Sequence, residues 1–403
     1  MNLLLLCGEK FPPHYAFLDT VYAQLLPARG HRITWVMPAR GQRRAFRAVR
    51  WHGCTVWLVP ALEGRGLFAL VGHYARQAAL LARLGRHLLR RARFDAVFTR
   101  DDPTMGLAAA WLARAWRVPC LFQLSHLKEE QMLAHAIAGE YGGRWKNLAK
   151  GGIGLVLRQL AMRLADLVLP MSAEMGRYLT RLAVPSRRLE VLREGADTRL
   201  DPESVTPATV PGGPVLVYAG TMSRFRRLEF LFPVLARVRR VHPDARLVMV
   251  GDGPGDDELA FLKGEAARAG VAEAVHWTGR VPRAQVPRWL AAAAVGLCPF
   301  PPHPVLLKNC PIKPMEYLAM RLPVVVSDTP ELRLLVESSG GGLVVEHRAD
   351  RFAEAVLALL ADPARGREMG ERGRDWVVAH RSLEVSTTRV EACLAKARAL
   401  RQS

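Results

Sequence analysis

Two doubly wound α/β domains, each a parallel sheet covered by helices on both faces, follow from three features of this 403-residue sequence. Short apolar runs alternate with helical patterns along nearly the whole chain, as they do where parallel strands are joined by helical crossovers. A Pro-, Gly- and Thr-rich stretch from Asp201 to Pro214 interrupts the alternation and reads as a linker. Half of the residues are hydrophobic, so each side of that linker can bury its own core. Ligands of open α/β sheets sit beyond the carboxyl ends of the strands, which places the expected site in a cleft between two facing domains.

The elements run as follows. Asn2–Cys7 reads as a strand, Phe11-Pro12-Pro13-His14 as a loop, and Phe17–Leu26 as a helix ended by Arg29-Gly30-His31. Arg32–Met37 is the next strand. The cycle continues through strand Ala96–Thr99, helix 104–116, strand Cys120–Leu124, a helix near 154–164, strand Leu167–Pro170 and helix 173–182. After the linker come strand Val215–Ala219, helix 228–240, strand Arg246–Val250, helix 257–269 and strand Ala274–Trp277. Helix 284–292, strand Val295–Pro299, helix 314–320 and strand Val324–Ser327 follow. The domains are placed at 1–200 and 215–375, with a C-terminal helix at about 382–400 packing back on the first.

Composition narrows the class. The six cysteines are scattered with no C-x-x-C pair, against a zinc site or a disulfide framework and in favour of a reducing cytosol. The apolar start, Met1 to Cys7, is too short for a signal peptide, with Glu9 close behind. No uncharged apolar window reaches the ~18 residues of a membrane span, and the candidates at 67–85 and 151–170 are broken by charges. The net charge of +20 is uneven: residues 1–200 hold 30 Lys and Arg against 14 Asp and Glu, the remainder 27 against 23. That asymmetry points to an anionic partner for the first half. Nucleic acid is disfavoured, because aromatic residues are not interleaved with the basic ones and no nucleic-acid motif occurs. Arg83 to Arg91 and Arg144 to Arg163 mix basic with aliphatic residues as interfacial helices do, which suits an anionic bilayer; the plain alternative is a solvated basic face.

Four groups at expected strand ends carry chemistry. The loop Gly220-Thr221-Met222-Ser223-Arg224-Phe225-Arg226-Arg227 holds three arginines, whose planar forks suit phosphate oxygens. The turn Val250-Gly251-Asp252-Gly253-Pro254-Gly255 would let a ligand approach the backbone. The segment Cys310-Pro311-Ile312-Lys313-Pro314-Met315-Glu316 opens a helix: Pro314 suits its first turn, and Lys313 and Glu316 share a side. Free amides with Lys313 would take a phosphate and Glu316 a ribose diol; an ordinary helix start with a surface ion pair is the alternative. His126 ends the strand Cys120–Leu124, where a lone histidine is either structural or catalytic. Asp101-Asp102 and Asp256-Asp257 are adjacent pairs rather than D-x-D, so they read as turn or cap carboxylates and no metal site is expected.

The order of these motifs resembles the GT-B-fold retaining glycosyltransferases of family 4 over nearly the whole chain. Phe11-Pro12-Pro13 and Arg29-Gly30-His31-Arg32-Ile33-Thr34 are similar to the opening loop and the "RGHxVT" strand. Ala165 to Ser172 resembles "ADxVixxS", and Val191 to Asp197 resembles "VixNGVD" with Glu194 for Asn. Tyr218-Ala219-Gly220, Val250 to Pro254, Trp277-Thr278-Gly279-Arg280-Val281 and the P-x-K-x-x-E-Y-x-A run at Pro311–Ala319 are similar to landmarks of the second domain. The resemblance implies two Rossmann-like domains, the first for an acceptor and the second for a nucleotide-sugar donor, UDP- or GDP-linked, used as co-substrate without a cofactor. It implies that Glu316 binds the ribose, that Arg226 and Lys313 neutralise the diphosphate without a metal, and that His126 reaches the transferred sugar. Arg280 and Val281 would lie near the base, and Gly220, Arg224 and Ile312 complete the nucleotide site. The implied reaction is retaining transfer to an acceptor hydroxyl; the basic first half, which suits an anionic membrane, makes a lipid-linked glycan the expected acceptor, in cell-surface or exopolysaccharide biosynthesis at the cytoplasmic face of the membrane. A nucleotide-sugar epimerase of the same fold and a non-catalytic scaffold are the alternatives. Departures motivate the latter: Lys308 stands where the family has a glutamate, Arg227 and Arg321 replace glycines, and His14-Tyr15 replaces a glycine pair. If those glycines need φ > 0, arginine there costs about 1 kcal/mol or more.

Overall fold

The computed structural model describes residues 1–39, 46–60, 67–139, 143–253 and 255–402, with backbone alone at 67–78 and 256. Pro254, in the glycine-rich turn, and the side chains at 67–78 of the 67–85 segment and at 256 therefore lie outside the described residues. Contacts divide the chain into two units, Met1–Glu194 with Leu383–Ser403, and Gly195–Ser382.

The first unit runs β1 (Asn2–Cys7), α1 (Phe17–Leu25, continued by Leu26–Ala28), β2 (Arg32–Pro38), β3 (Arg47–Trp51), β4 (Cys54–Val59), α2 (Leu67–Arg91) and β5 (Ala96–Arg100). Then come α3 (Pro103–Trp116), β6 (Cys120–Leu124), α4 (Lys128–Ala138), α5 (Arg144–Leu164), β7 (Leu167–Pro170) and α6 (Ala173–Arg181). Its seven-stranded sheet has the order β3-β4-β2-β1-β5-β6-β7. All neighbours are parallel except β3 and β4. That antiparallel edge departs from the expected all-parallel sheet. Its cause is local: His52 and Gly53 both have positive φ, 47° and 77°, the two-residue turn that matches strand twist and folds a hairpin. Leu3–Cys7 of β1 is an unbroken apolar run, and β5 and β6 are buried throughout, polar Thr99, Arg100 and Gln123 included, because both faces are covered. A terminal helix (Leu383–Gln402) inserts Leu383, Val390, Cys393 and Leu394 into this core beside Leu3, Leu5 and Trp35.

The second unit holds β8 (Val215–Ala219), α7 (Leu231–Val238), β9 (Arg246–Val250), α8 (Asp256–Arg268), β10 (Val275–Gly279), α9 (Val286–Ala291) and β11 (Val295–Cys298). It ends with α10 (Lys313–Ala319), β12 (Val324–Ser327), α11 (Pro330–Ser339), β13 (Gly342–Val345), α12 (Ala349–Ala361) and α13 (Pro363–Arg381). The six-stranded sheet, order β10-β9-β8-β11-β12-β13, is parallel throughout. The stretch expected to be a linker is instead laid onto this unit. The Ala208 N–H donates to the Arg288 carbonyl at 2.9 Å, the Gly213 N–H to the Asp244 carbonyl at 2.8 Å, and Glu203 pairs with Arg321. Among the described residues, no helix is long and apolar enough to cross a membrane.

Candidate functional site

In the second sheet the connections reverse direction between β8 and β11, so the loops that follow these strands diverge and leave a crevice. Five of the expected residues, Gly220, Arg226, Ile312, Lys313 and Glu316, stand on the segments that follow β8 and β11. Gly220 follows β8, and its N–H donates to the Val250 carbonyl at 2.9 Å. A Cβ on Gly251 would stand 2.3 Å from the Gly220 carbonyl oxygen, so only glycine at 251 permits the two loops to approach so closely. A turn of 3₁₀ helix, Arg224–Arg226, then presents the guanidinium of Arg226. It donates to the Tyr218 hydroxyl at 3.1 Å and lies over the Phe300 ring, which follows β11, at 5.4 Å. A half-buried arginine held between two aromatic side chains keeps a fixed direction, and its planar cation suits phosphate oxygens.

Helix α10 supplies the other half. Lys313 donates to Glu316 at 2.6 Å, the two side chains being 34% and 24% exposed, so both are within reach of a ligand. What locates this helix is Tyr317, which is fully buried. Its hydroxyl accepts from the Ala219 N–H at 2.7 Å and donates to the Ala219 carbonyl at 3.3 Å. The last residue of β8 and the helix carrying Lys313 and Glu316 are thereby tied together. Ile312 is the residue just before the helix. Neither Tyr317 nor Phe300 was singled out from sequence; their adjacency to Glu316 and to strand β11 was the available signal.

The remaining predicted residues scatter. The backbone N–H of Arg224 is held by Glu258 at 2.8 Å and its guanidinium stacks on Phe261 at 4.6 Å, so it faces α8 rather than Arg226. Arg280 and Val281 follow β10, the edge strand, and Arg280 is exposed. Their loop connects inward by a hydrogen bond from the Gly251 N–H to the Gly279 carbonyl at 3.2 Å. Arg227 and Arg321 do occupy the left-handed region, with φ of 52° and 57°. Each answers a carboxylate, Glu229 for Arg227 and Glu203 for Arg321. Lys308 donates to the Pro304 carbonyl.

In the first unit the switch point falls between β1 and β5, and a polar network lies beside it. Arg100 ends β5 with its side chain only 3% exposed, paired to Glu194 at 2.6 Å and to Asp101 at 3.1 Å. Burial alone would lower its pKa, but Glu194 and Asp101 push it up, so the guanidinium stays charged. Arg100 also donates to the Ser125 hydroxyl at 3.0 Å, and Asp101 accepts the Ser125 N–H at 2.6 Å. Ser125 directly precedes His126, whose Nε2 is hydrogen-bonded to Gln131, itself linked to His135 at 3.1 Å. Asp102 caps α3, accepting from Thr104 and Met105 at 2.9 Å, in line with the cap reading of that pair. Glu194, read from sequence as a mere departure, is thus the counter-charge of the strand-end arginine; a charged residue closing an apolar strand was the missed signal. Among the described residues, no three His, Cys, Asp or Glu side chains converge to hold a metal ion.

This arrangement defines a class. Residues 21–195 match the model described as a glycosyl transferase 4-like domain, and residues 213–362 match glycosyl transferases group 1. Between them the two matches take in most of the chain, which belongs to the GT-B-fold glycosyltransferases of family 4. It is 28% identical to the alpha-maltose-1-phosphate synthase of Mycolicibacterium smegmatis over 60% of this chain and 68% of that protein. A GDP-mannose-dependent alpha-(1-6)-phosphatidylinositol monomannoside mannosyltransferase of Mycobacterium tuberculosis is 32% identical over 48% of this chain and 52% of its own, so the match spans about half of it. In three dimensions the chain resembles the sucrose-phosphate synthase of Thermosynechococcus elongatus, with a TM-score of 0.74 at 16% identity, covering 98% of this chain and 99% of that one.

Proposed function

We propose that this glycosyltransferase is a retaining, metal-independent enzyme that moves a sugar from a UDP- or GDP-linked donor to a lipid-linked glycan acceptor at the cytoplasmic face of the cell membrane, in cell-surface or exopolysaccharide biosynthesis. The observation that carries the reading is the pairing, at the switch point of the second sheet, of Arg226 between Tyr218 and Phe300 with the Lys313–Glu316 pair on α10. A diphosphate entering the crevice draws Lys313 from Glu316. Arg226 and Lys313 then neutralise the charge that develops as the sugar–phosphate bond breaks. The released Glu316 carboxylate accepts from the ribose hydroxyls, while Gly220 lets the phosphates approach the backbone. His126 serves the transferred sugar from the first unit, and the departing phosphate takes the acceptor's proton on the same face of the sugar. A relative that uses GDP-mannose and acts on a phosphatidylinositol glycolipid supports both the donor class and the lipid-linked acceptor.

The test is calorimetric titration with UDP and GDP, alongside hydrolysis assays of a panel of their sugars. Loss of a hydrogen bond to a charged group is worth about 1.5–3 kcal/mol, so Glu316→Ala should weaken nucleotide binding roughly ten- to a hundredfold. Unchanged affinity in that variant removes the site assignment. A chain that binds neither nucleotide is a non-catalytic scaffold, the reading that Lys308, Arg227 and Arg321 would favour.

A further inference from the structure

The two basic–aliphatic segments of the first unit have opposite roles. Within α2, Leu84 and Leu88 are buried, so the segment 83–91 is a core helix with solvated arginines. Helix α5 is inverted. Its buried face consists of Gly151, Gly154, Arg158, Ala161 and Met162. The two glycines let α4 approach closely: a Cβ on Gly151 would stand 2.8 Å from Leu133, and one on Gly154 2.8 Å from Glu129. Three large apolar side chains point the other way, with Trp145 79%, Val156 69% and Leu160 46% exposed. Trp145, Ala149, Gly152, Val156 and Leu160 recur at the helical repeat, so they form one uncharged outward stripe. A helix shaped only by its own core would carry its bulk inward and its charge outward.

The flanks are cationic. Arg144, Lys146, Lys150, Arg158 and Arg163 lie in α5 without a single Asp or Glu. Arg158 is consumed inside the unit by Glu129 and Glu130. Arg144, Lys146 and Lys150 flank the stripe, and Arg163 closes it one turn beyond Leu160. Lys150 has a lowered pKa, first from partial burial and then from Lys146 and Lys128, so cations crowd this side of the helix. A second copy seated on the stripe would bring the same cations against these, which disfavours self-association. An acyl layer bordered by anionic headgroups satisfies the stripe and its flanks together.

We propose that α5 lies flat on an anionic bilayer, with Trp145, Val156 and Leu160 in the acyl boundary and Arg144, Lys146, Lys150 and Arg163 at the lipid phosphates. This deepens the membrane part of the proposed function and rests on it; the nucleotide site plays no part in it. The test is sedimentation of the full chain with phosphatidylcholine vesicles, with and without phosphatidylglycerol. The wild type should pellet with the anionic vesicles in a salt-sensitive manner. Trp145→Ser/Val156→Ser/Leu160→Ser should abolish that binding. Lys146→Gln/Lys150→Gln should weaken it roughly thirtyfold. Both variants should bind UDP or GDP as the wild type does. If the triple variant melts abnormally, the lysine pair alone decides. Equal vesicle binding by wild type and variants overturns the assignment to α5 while leaving membrane association standing. A wild type that ignores anionic vesicles overturns both. A variant that changes only the sedimentation-velocity mass makes the stripe an interface between copies and overturns the proposal.

Discussion

Arg226 was visible as a candidate because it stands in the loop after an apolar strand, and Lys313 and Glu316 because they open a helix, where charge is conspicuous. Tyr317 was not, because a tyrosine one residue after Glu316 shows no sign of which way it faces. In the folded unit its buried hydroxyl serves both polar groups of Ala219. Tyr317→Phe leaves them without that partner, so it should cost about 1–3 kcal/mol in urea denaturation and also weaken nucleotide binding by loosening α10. An unchanged midpoint would mean that the hydroxyl does not hold the helix. Arg100→Met should be harsher. It strands the buried Glu194 carboxylate, and removal of one partner of a buried pair costs about 3–5 kcal/mol. A loss under about 1 kcal/mol would show that the pair is no better than a surface bridge.

At the scale of elements, α4 and α5 depend on one arginine. Arg158 donates to Glu129 at 2.7 Å and to Glu130 at 2.8 Å, and the Tyr178 hydroxyl donates to Glu130 at 2.8 Å. Burial pushes the Glu130 carboxyl up, but Arg158 and Tyr178 more than offset it and hold its pKa below the ordinary 4.5. A depressed carboxylate stabilises the fold above its unfolded value and loses that stabilisation as pH falls through the folded one. The stability difference between wild type and Glu130→Gln should therefore be full above pH 4.5 and shrink below it, as read from urea curves across pH. A difference that does not vary with pH would sink the assignment. Helix periodicity announced α5 but not its inside-out character. The sequence carries the same mixture of bases and aliphatics in 83–91, and only the packing of Gly151 and Gly154 against α4 turns Trp145, Val156 and Leu160 outward.

At the scale of the whole molecule, the chain ends by completing the core with which it began. Leu383, Val390 and Leu394 pack beside Leu3, Leu5 and Trp35, whereas the second unit has a separate core around Leu216, Phe232 and Val325. Deletion of residues 383–403 should therefore abolish the thermal transition of the first unit and leave that of Gly195–Ser382 intact, which calorimetry would resolve. A single unfolding transition lost in its entirety would refute this independence. The alternation of apolar strands with helices, the positions of Arg226, Lys313 and Glu316, and the excess of base in the first half were all determined by the sequence alone, because short-range periodicity and charge can be read along the chain. Tertiary structure alone decided that Arg100 meets Glu194, that Tyr317 anchors α10 to β8, that the supposed linker is laid onto the second unit, and that α5 faces outward. Each of these joins residues far apart in sequence or depends on which face of an element is covered, and only packing settles that.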